Sequence, residues 1–358
     1  MKIHKATKNF EEWLASRVKL VRQDLSHKHQ EMATAVFPFL RATFYRWAQV
    51  WPEVCPELAA APKLLAVGDL HVENFGTWRD AEGRLIWGVN DFDEVHAMAY
   101  AADLVRLATS AHLAIEGEHL SIRPLTASEA IEEGYRDALN KGGRVFVLGE
   151  RHRWLRVLAL NELRDPVHFW ARMESLPKIH FEVPRHARTL LEETLPEKGM
   201  PYSLRRRIAG LGSLGHPRIV ALAEWRGGFV AREAKALRPS ACVWVAGHKT
   251  TPEILSPRLL CKAVRVNDPC VHYHKNWIVR RLAPDCSRIE LFTLPQKRDE
   301  ARLLYSMGWE TANIHLGDPS AIPLVHKDLA RRSGRWLHRA AKDMGAVVVR
   351  DWRRWRRG

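Results

Sequence analysis

Apolar residues recur at helical spacing through the opening of the chain. In "NFEEWLASRVKL" a stripe of Trp13, Leu14, Val18 and Val21 follows Asn9 and Glu12, a capping-box pair that predicts a helix starting at Asn9. "EMATAVFPFLRATFYRWAQV" predicts a second helix, bent or interrupted at Pro38. The rhythm then shortens. "KLLAVGD" and "RLIWGVND" are brief apolar runs ending in acidic residues, the pattern of strands whose tips deliver side chains to a site. "TWRDAEGR" between them reads as a turn with Gly83 at positive φ. Helical spacing returns from Ala99 to about Arg188 in "AADLVRLATSAHLAI", "ASEAIEEGYRDALN" and "RHARTLLEETL", and Pro184, Pro196 and Pro201 mark a change of style. Residues 204–246 read as β-structure, with "RIVALAEW" and "FVAREAKAL" joined by a turn at Arg226-Gly227-Gly228. A further β pair is expected in "NWIVRRLAPDCSRIELFTL", and helices close the chain from about Lys297. No internal repeat or low-complexity linker interrupts this order.

The pattern predicts an α+β fold of two lobes with their border near Met200. Residues 1–60 are expected to form N-terminal helices and 61–200 a catalytic lobe. Residues 201–296 are expected to form a β-rich nucleotide-binding lobe, and 297–358 helices and a basic tail packed back on the helical lobe. The chain has 358 residues, 46% of them apolar, enough for a large core. A net charge of +15 favours anionic partners such as nucleotides, nucleic acid or acidic surfaces. No run is long and apolar enough for a transmembrane segment, no signal-like block opens the chain, and the five cysteines form no CxxC pair. These features lead to the expectation of a cytoplasmic protein.

The acidic strand ends carry the chemistry. "GDLHVENF" and "NDFDE" gather Asp69, His71, Asn74, Asp91 and Asp93, and carboxylates this close call for a cation between them. The five-residue offset from Asp69 to Asn74 is that of the kinase catalytic loop, where Asp orients the acceptor and Asn holds metal. Asp91-Phe92-Asp93 stands where a kinase places its metal-binding aspartate. Simple turn and helix caps are the plainer alternative for each motif taken singly. Gly210, Gly212, Ser213 and Gly215 belong to "GLGSLG", flanked by strand-like segments, which suits a kinase-type phosphate cover better than a dinucleotide fingerprint. Arg232 and Lys235 follow on the next strand. Alternation puts them on opposite faces, so one of them is expected to meet phosphate.

"GDLHVENF…NDFDE…AADLVRLATS" resembles the motif series of aminoglycoside and choline kinase-like phosphotransferases. More closely, "MATAVFPFLRATFYRW", "GDLHVENFGTW", "VNDFDEV" and "GLGSLGHPRIVALAEWRGGFVAREAKALRPS" resemble the bacterial family called domain of unknown function 2252, over roughly residues 30–325. The resemblance implies a protein-kinase-like fold, with Asp69 as catalytic aspartate and Asn74 and Asp91 as metal ligands. It also implies Gly210, Gly212 and Gly215 as phosphate cover and Asp103 as the buried brace of the catalytic loop, with His71 in the motif as support. The family usually shows Lys-Glu-Ala where this chain has Arg232-Glu233-Ala234. The glycine motif follows Asp69 by about 140 residues, the reverse of the usual kinase order, which is compatible with circular permutation.

These readings converge on an ATP- and Mg²⁺-dependent phosphotransferase. The short span between Asp91 and Asp103 leaves no room for a peptide-seating segment and favours a small-molecule hydroxyl acceptor. Asp93 or Glu94 is a candidate for a second metal or for the acceptor's amine. A catalytically silent nucleotide-binding protein and an AMP-transferring enzyme stay open. So does nucleic-acid or anionic-surface binding through the Arg- and Trp-rich residues 331–358, a segment that reads equally well as a solvated helix end. "CVHYH" alternates like metal ligands, but without a second cluster it reads as ordinary strand surface.

Overall fold

The computed structural model describes the chain apart from residues 150, 160–164, 180–181, 248–252 and 287–298. The fold is mixed α+β, with many helices and, among the described residues, three small sheets. It opens with α1 (Ile3–Ala15), α2 (Arg22–Thr34), α3 (Val36–Ala42), α4 (Phe44–Val54) and α5 (Pro56–Ala59). The helix expected at Asn9 begins earlier, because Ile3, Ala6, Phe10 and Leu14 already form one buried stripe and draw the first turn back to Ile3. Pro38 does not mark the break in the second helix. It lies in the first turn of α3, where a missing N–H costs nothing, and the chain breaks at Ala35, which is extended (φ −153°, ψ 166°).

The segment that carries the acidic motifs is built from two small sheets. β1 (Lys63–Ala66) pairs antiparallel with β4 (His96–Ala99), which runs directly into α6 (Tyr100–Glu116). Between them, β2 (Phe75–Arg79) and β3 (Leu85–Val89) form a hairpin, extended by β5 (Phe146–Val147). The two strands read on either side of a turn therefore belong to different sheets: β1 leads to Asp69 and β3 to Asp91. The expected turn "TWRDAEGR" shrinks to residues 80–84, with Gly83 at φ +72°, because its first residues complete β2.

Helices α7 (Pro124–Lys141), α8 (Arg153–Ala159), α9 (Pro166–Glu174) and α10 (Arg185–Thr194) follow. Then comes a five-stranded antiparallel sheet in the order β6-β7-β8-β10-β9. Its strands are β6 (Ser203–Arg206), β7 (Arg218–Trp225), β8 (Gly228–Ala236), β9 (His272–His274) and β10 (Trp277–Leu282). Between β8 and β9 the chain forms α11 (Ala241–Ala246) and α12 (Ser256–Lys262), so the stretch read as continuous β-structure to residue 246 ends in a helix. The Ser240 hydroxyl caps it by accepting from the Cys242 N–H at 3.2 Å.

Alternation sorts the sheet into two faces. Ile219, Ala221, Ala234, Ala236 and Val279 join the main core with Leu190 and Leu191 of α10. On the other face Val220, Leu222, Ala231 and Leu282 pack with Phe169 and Met173 of α9. Further along that second face stand Arg218, Glu233, Lys235 and Arg280, turned toward the acidic loops.

The chain closes with α13 (Glu300–His315), α14 (Ile322–Arg331) and α15 (Trp336–Trp355). The partner strand expected after β10, the start expected at Lys297 and the border at 296–297 lie outside the described residues. The basic tail is a packed helix: α15 buries Trp336, Leu337, Met344 and Val348, and Trp355 stacks on His4 with ring centroids 4.8 Å apart. Among the described residues no helix is long and apolar enough to cross a membrane.

Candidate active site

Helix α6 is apolar except for a stripe at helical spacing, and that stripe grips the loop after β1. Asp103 accepts from the backbone N–H groups of Val67 (2.7 Å) and Gly68 (2.8 Å). Arg106 donates through Nε (2.8 Å) and Nη2 (2.5 Å) to Asp69 Oδ1. The Ser110 hydroxyl accepts from the Val72 N–H at 3.0 Å. Asp103 is itself held by His315 Nε2 at 3.0 Å, whose other ring nitrogen meets the Tyr135 hydroxyl at 2.8 Å. The loop from Val67 to Val72 is thus pinned at Val67, Gly68, Asp69 and Val72 against a buried helix. Gly68 permits the geometry: its φ is +85°, and a Cβ there would lie 2.4 Å from the Glu94 carbonyl oxygen.

Asn74 clamps this loop to the next one. Its Nδ2 donates to the Asp69 carbonyl (3.0 Å) and the Asp91 carbonyl (3.1 Å), and its Oδ1 accepts from the Asp91 N–H (2.8 Å). Asn74, expected as a metal ligand, has both ends of its amide engaged with backbone and holds the two aspartates in register. His71 is buried beside them, facing Phe37 edge-on.

Lys235 reaches into the pair from β8. Its ammonium contacts Asp93 and lies 3.4 Å from Asp91 Oδ1. One cation thus serves two carboxylates and leaves the group net negative. Burial works to raise both, but Lys235, Arg218 and Arg280 override it at Asp91 and hold that carboxyl well below its ordinary range. Asp93 is pushed up by burial and by the charge of Asp91. Asp69 is raised by burial, with Glu94 and Asp91 adding to it against the pull of Arg106.

Arg232 is not brought to this group. It points to the opposite face of β8, where Nε donates to the Thr194 carbonyl of α10 at 2.9 Å and Nη1 to the Ala231 carbonyl at 3.0 Å. Glu94 is also engaged: Arg238 pairs with it, and it accepts from the Ser240 hydroxyl (3.0 Å) and the Ala241 N–H (2.7 Å). It offers no free carboxylate to an acceptor's amine.

The glycine motif joins β6 to β7. Gly210 (φ +74°) and Gly215 (φ +96°) flank a short 3-10 turn, Leu211–Ser213, and the Ser213 hydroxyl accepts from Arg218 Nη2 at 2.6 Å. The turn lies directly over Asp69: a Cβ on Gly212 would sit 3.4 Å from Asp69 Oδ2.

Two cavities meet at Asp91 and Asp93. The larger, about 310 Å³, lies between the second face of the five-stranded sheet and the β2–β3 hairpin, with α12 closing one side. Its walls combine Trp78, Phe92, Leu260, Tyr273 and Ile278 with Lys235, Arg280 and Arg281. Apolar and aromatic walls interspersed with cations, among them Arg265 over the Trp78 ring at 3.9 Å, suit a polyphosphate that carries an aromatic base. The smaller chamber, about 40 Å³, is bounded by Asp69, Asn74, Lys28, Arg238 and the turn Gly210–Ser213.

Among the described residues no three His, Cys, Asp or Glu side chains converge as a ready metal cage, and His272 of "CVHYH" is exposed on an edge strand. Mg²⁺ commonly takes one or two carboxylates and completes its shell with phosphate and water. Asp91, with 42% of its side chain exposed, and Asp93 fit that role.

Sequence reasoning passed over Arg106, Lys28 and Arg238. Arg106 was detectable as a second charged residue one turn after Asp103 in a mostly apolar helix. Lys28 and Arg238 lie in stretches whose composition gives no such hint.

A family model described as an uncharacterized protein conserved in bacteria (DUF2252) matches residues 20–156. The match supports the resemblance over that span, which holds Asp69, Asn74, Asp91, Asp93 and Asp103. The glycine turn and Lys235 lie beyond it. No curated protein and no solved structure matches the chain.

Proposed function

We propose that the protein is a kinase-like phosphotransferase that uses ATP and Mg²⁺ to phosphorylate a small hydroxyl acceptor. The observation that carries this reading is the position of Asp91 and Asp93. They form the shared wall between a nucleotide-sized cavity and the chamber of Asp69, with Lys235 bridging them. On this reading the base lies among Trp78, Phe92 and Ile278, and Lys235 and Arg280 face the phosphates. Asp91 and Asp93 hold Mg²⁺, which neutralises the charge that builds on the transferred group. Asp69, fixed by Arg106, orients the acceptor hydroxyl and takes up its hydrogen bond. The two-lobed, circularly permuted form of the kinase fold belongs to the same proposal: the helical segment supplies Asp69 and Asp91 first, and the five-stranded sheet supplies the glycine turn and Lys235 afterwards.

Calorimetry with Mg²⁺ and ATP tests nucleotide uptake, and incubation of a metabolite extract with γ-labelled ATP tests transfer. Label should appear in a small molecule with wild type and not with Asp91→Ala. Label transferred from α-labelled but not γ-labelled ATP would replace phosphoryl transfer by AMP transfer. A silent nucleotide-binding protein is favoured by one observation, the contact of Lys235 with Asp93 and Asp91, which ties the phosphate cation to the metal carboxylates. Uptake of Mg²⁺ and ATP without transfer would establish that reading instead.

A further inference from the structure

The small chamber holds one charge that nothing nearby neutralises by direct pairing. Each other cation at its wall has a carboxylate: Arg41 pairs with Glu73 and Arg238 with Glu94, while Arg106 behind it holds Asp69. Lys28, on α2, is 4% exposed and forms no ion pair among the described residues; its Nζ donates to the Gly212 carbonyl at 3.1 Å. An ammonium has three donors, so this leaves two for a ligand. Burial of an ammonium with no paired carboxylate is unfavourable, and an anion that meets it offsets that cost. Burial lowers its pKa to about 8, consistent with a charge held short of compensation.

We propose that Lys28 recognises an anionic group, phosphate or carboxylate, on the acceptor whose hydroxyl faces Asp69. The inference rests on the phosphotransferase reading and adds the acceptor's chemical class. Lys28 lines the chamber of Asp69 and not the larger cavity, so it stands on the acceptor side of the Asp91–Asp93 wall. A cationic acceptor is disfavoured there, because Glu94 is engaged with Arg238 and Asp69 with Arg106, and on this reading the excess negative charge of Asp91 and Asp93 is met by Mg²⁺. At about 40 Å³ the chamber accommodates little more than water, so the glycine turn must move for an acceptor to enter. That turn is tied to the α2 region by the Lys28–Gly212 bond and by the Val21 N–H donating to the Gly215 carbonyl at 2.9 Å. Movement of the turn breaks the first tie, and an anion bound to the ammonium compensates for that loss, coupling acceptor binding to release of the turn.

Three hydroxyl compounds serve as probes: glycerol 3-phosphate, glycerate and choline. Binding is measured by calorimetry on the full chain, with and without Mg²⁺ and a non-hydrolysable ATP analogue. At least one anion should bind wild type, and which one separates phosphate from carboxylate recognition. Lys28→Met should weaken it tenfold or more, Lys28→Arg should retain most of it, and choline should not bind. Nucleotide affinity should be the same in Lys28→Met as in wild type. Circular dichroism checks the fold, and Lys28→Gln replaces Lys28→Met if the latter fails to fold. Anion binding unaffected by Lys28 substitution, absence of anion binding to wild type, or preference for choline would overturn the inference. So would loss of nucleotide affinity in a folded Lys28→Met, which would move Lys28 to the nucleotide side. Lys28-dependent anion binding without any nucleotide uptake would keep the anion site and remove the phosphotransferase reading alone.

Discussion

Lys28 shows how a single side chain can serve a site at the expense of stability. It faces Glu11 of α1, Glu94, Asp69 and Arg238, and burial, the largest influence on it, lowers its pKa from 10.5 to about 8. The unfolded chain therefore holds this proton more tightly than the folded protein. The resulting penalty is present in full below pH 8 and fades as pH rises toward 10.5. Lys28→Met should stabilise the protein at pH 7 by on the order of 2 kcal/mol, with the gain shrinking by pH 10; urea melts at the two pH values measure it. Anion binding at Lys28 should weaken above about pH 8 as its ammonium loses charge. Arg232 supplies the contrasting case. It sits under α10 and away from the cleft, so Arg232→Met should leave Mg²⁺- and ATP-binding unchanged in calorimetry. Lys235→Met should weaken nucleotide binding at least tenfold.

At the scale of elements, the site depends on one close helix crossing. A Cβ on Gly134 of α7 would lie 1.9 Å from the Tyr305 carbonyl oxygen, and one on Gly308 of α13 would lie 2.0 Å from that of Ile131. These two backbones touch, and α13 from that position sends His315 to Asp103 and the Glu310 carboxylate to the Val89 N–H at 3.2 Å. Gly134→Ala and Gly308→Ala should each cost at least about 2 kcal/mol, because backbone rather than a flexible side chain must shift. Their effects should not add, since both act on the same crossing. Denaturant melts of the two single variants and the double variant check this.

The same scale explains what could be read from the chain. The helix beginning at Tyr100 and the turn at Arg226-Gly227-Gly228 are local features, and both were legible. The tips of β1 and β3 were legible as carriers of Asp69 and Asp91, but their strand partners were not. Pairing is chosen by long-range contacts, and the residues His96–Ala99 that pair with β1 are too few to show a period. Lys28 was hidden for a similar reason: no apolar stripe marks the residues of α2, and the burial of Lys28 comes from a turn that lies far along the chain.

For the whole molecule, the order of the motifs matters less than their meeting point. The glycine turn reaches Asp69 from a remote part of the sequence, and the two ends of the chain also meet. A Cβ on Gly358 would lie 2.6 Å from His4 Nε2, and Trp355 stacks on His4. The loop at Glu197–Gly199, between α10 and β6, is exposed. A chain opened between Lys198 and Gly199, with Gly358 joined to Met1 by a short glycine-serine linker, would place the glycine turn before Asp69. Closing such a short gap costs little chain entropy, and the new ends fall where few contacts are lost. The rearranged protein should melt within a few degrees of the original and bind Mg²⁺ and ATP with the same affinity. A control opened at Leu70–His71 should lose both properties, because that cut severs the loop gripped by Asp103, Arg106 and Ser110. If the first chain folds and fails to bind nucleotide while the original binds it, the meeting of these segments depends on their covalent order, and permutation is the wrong description of the fold.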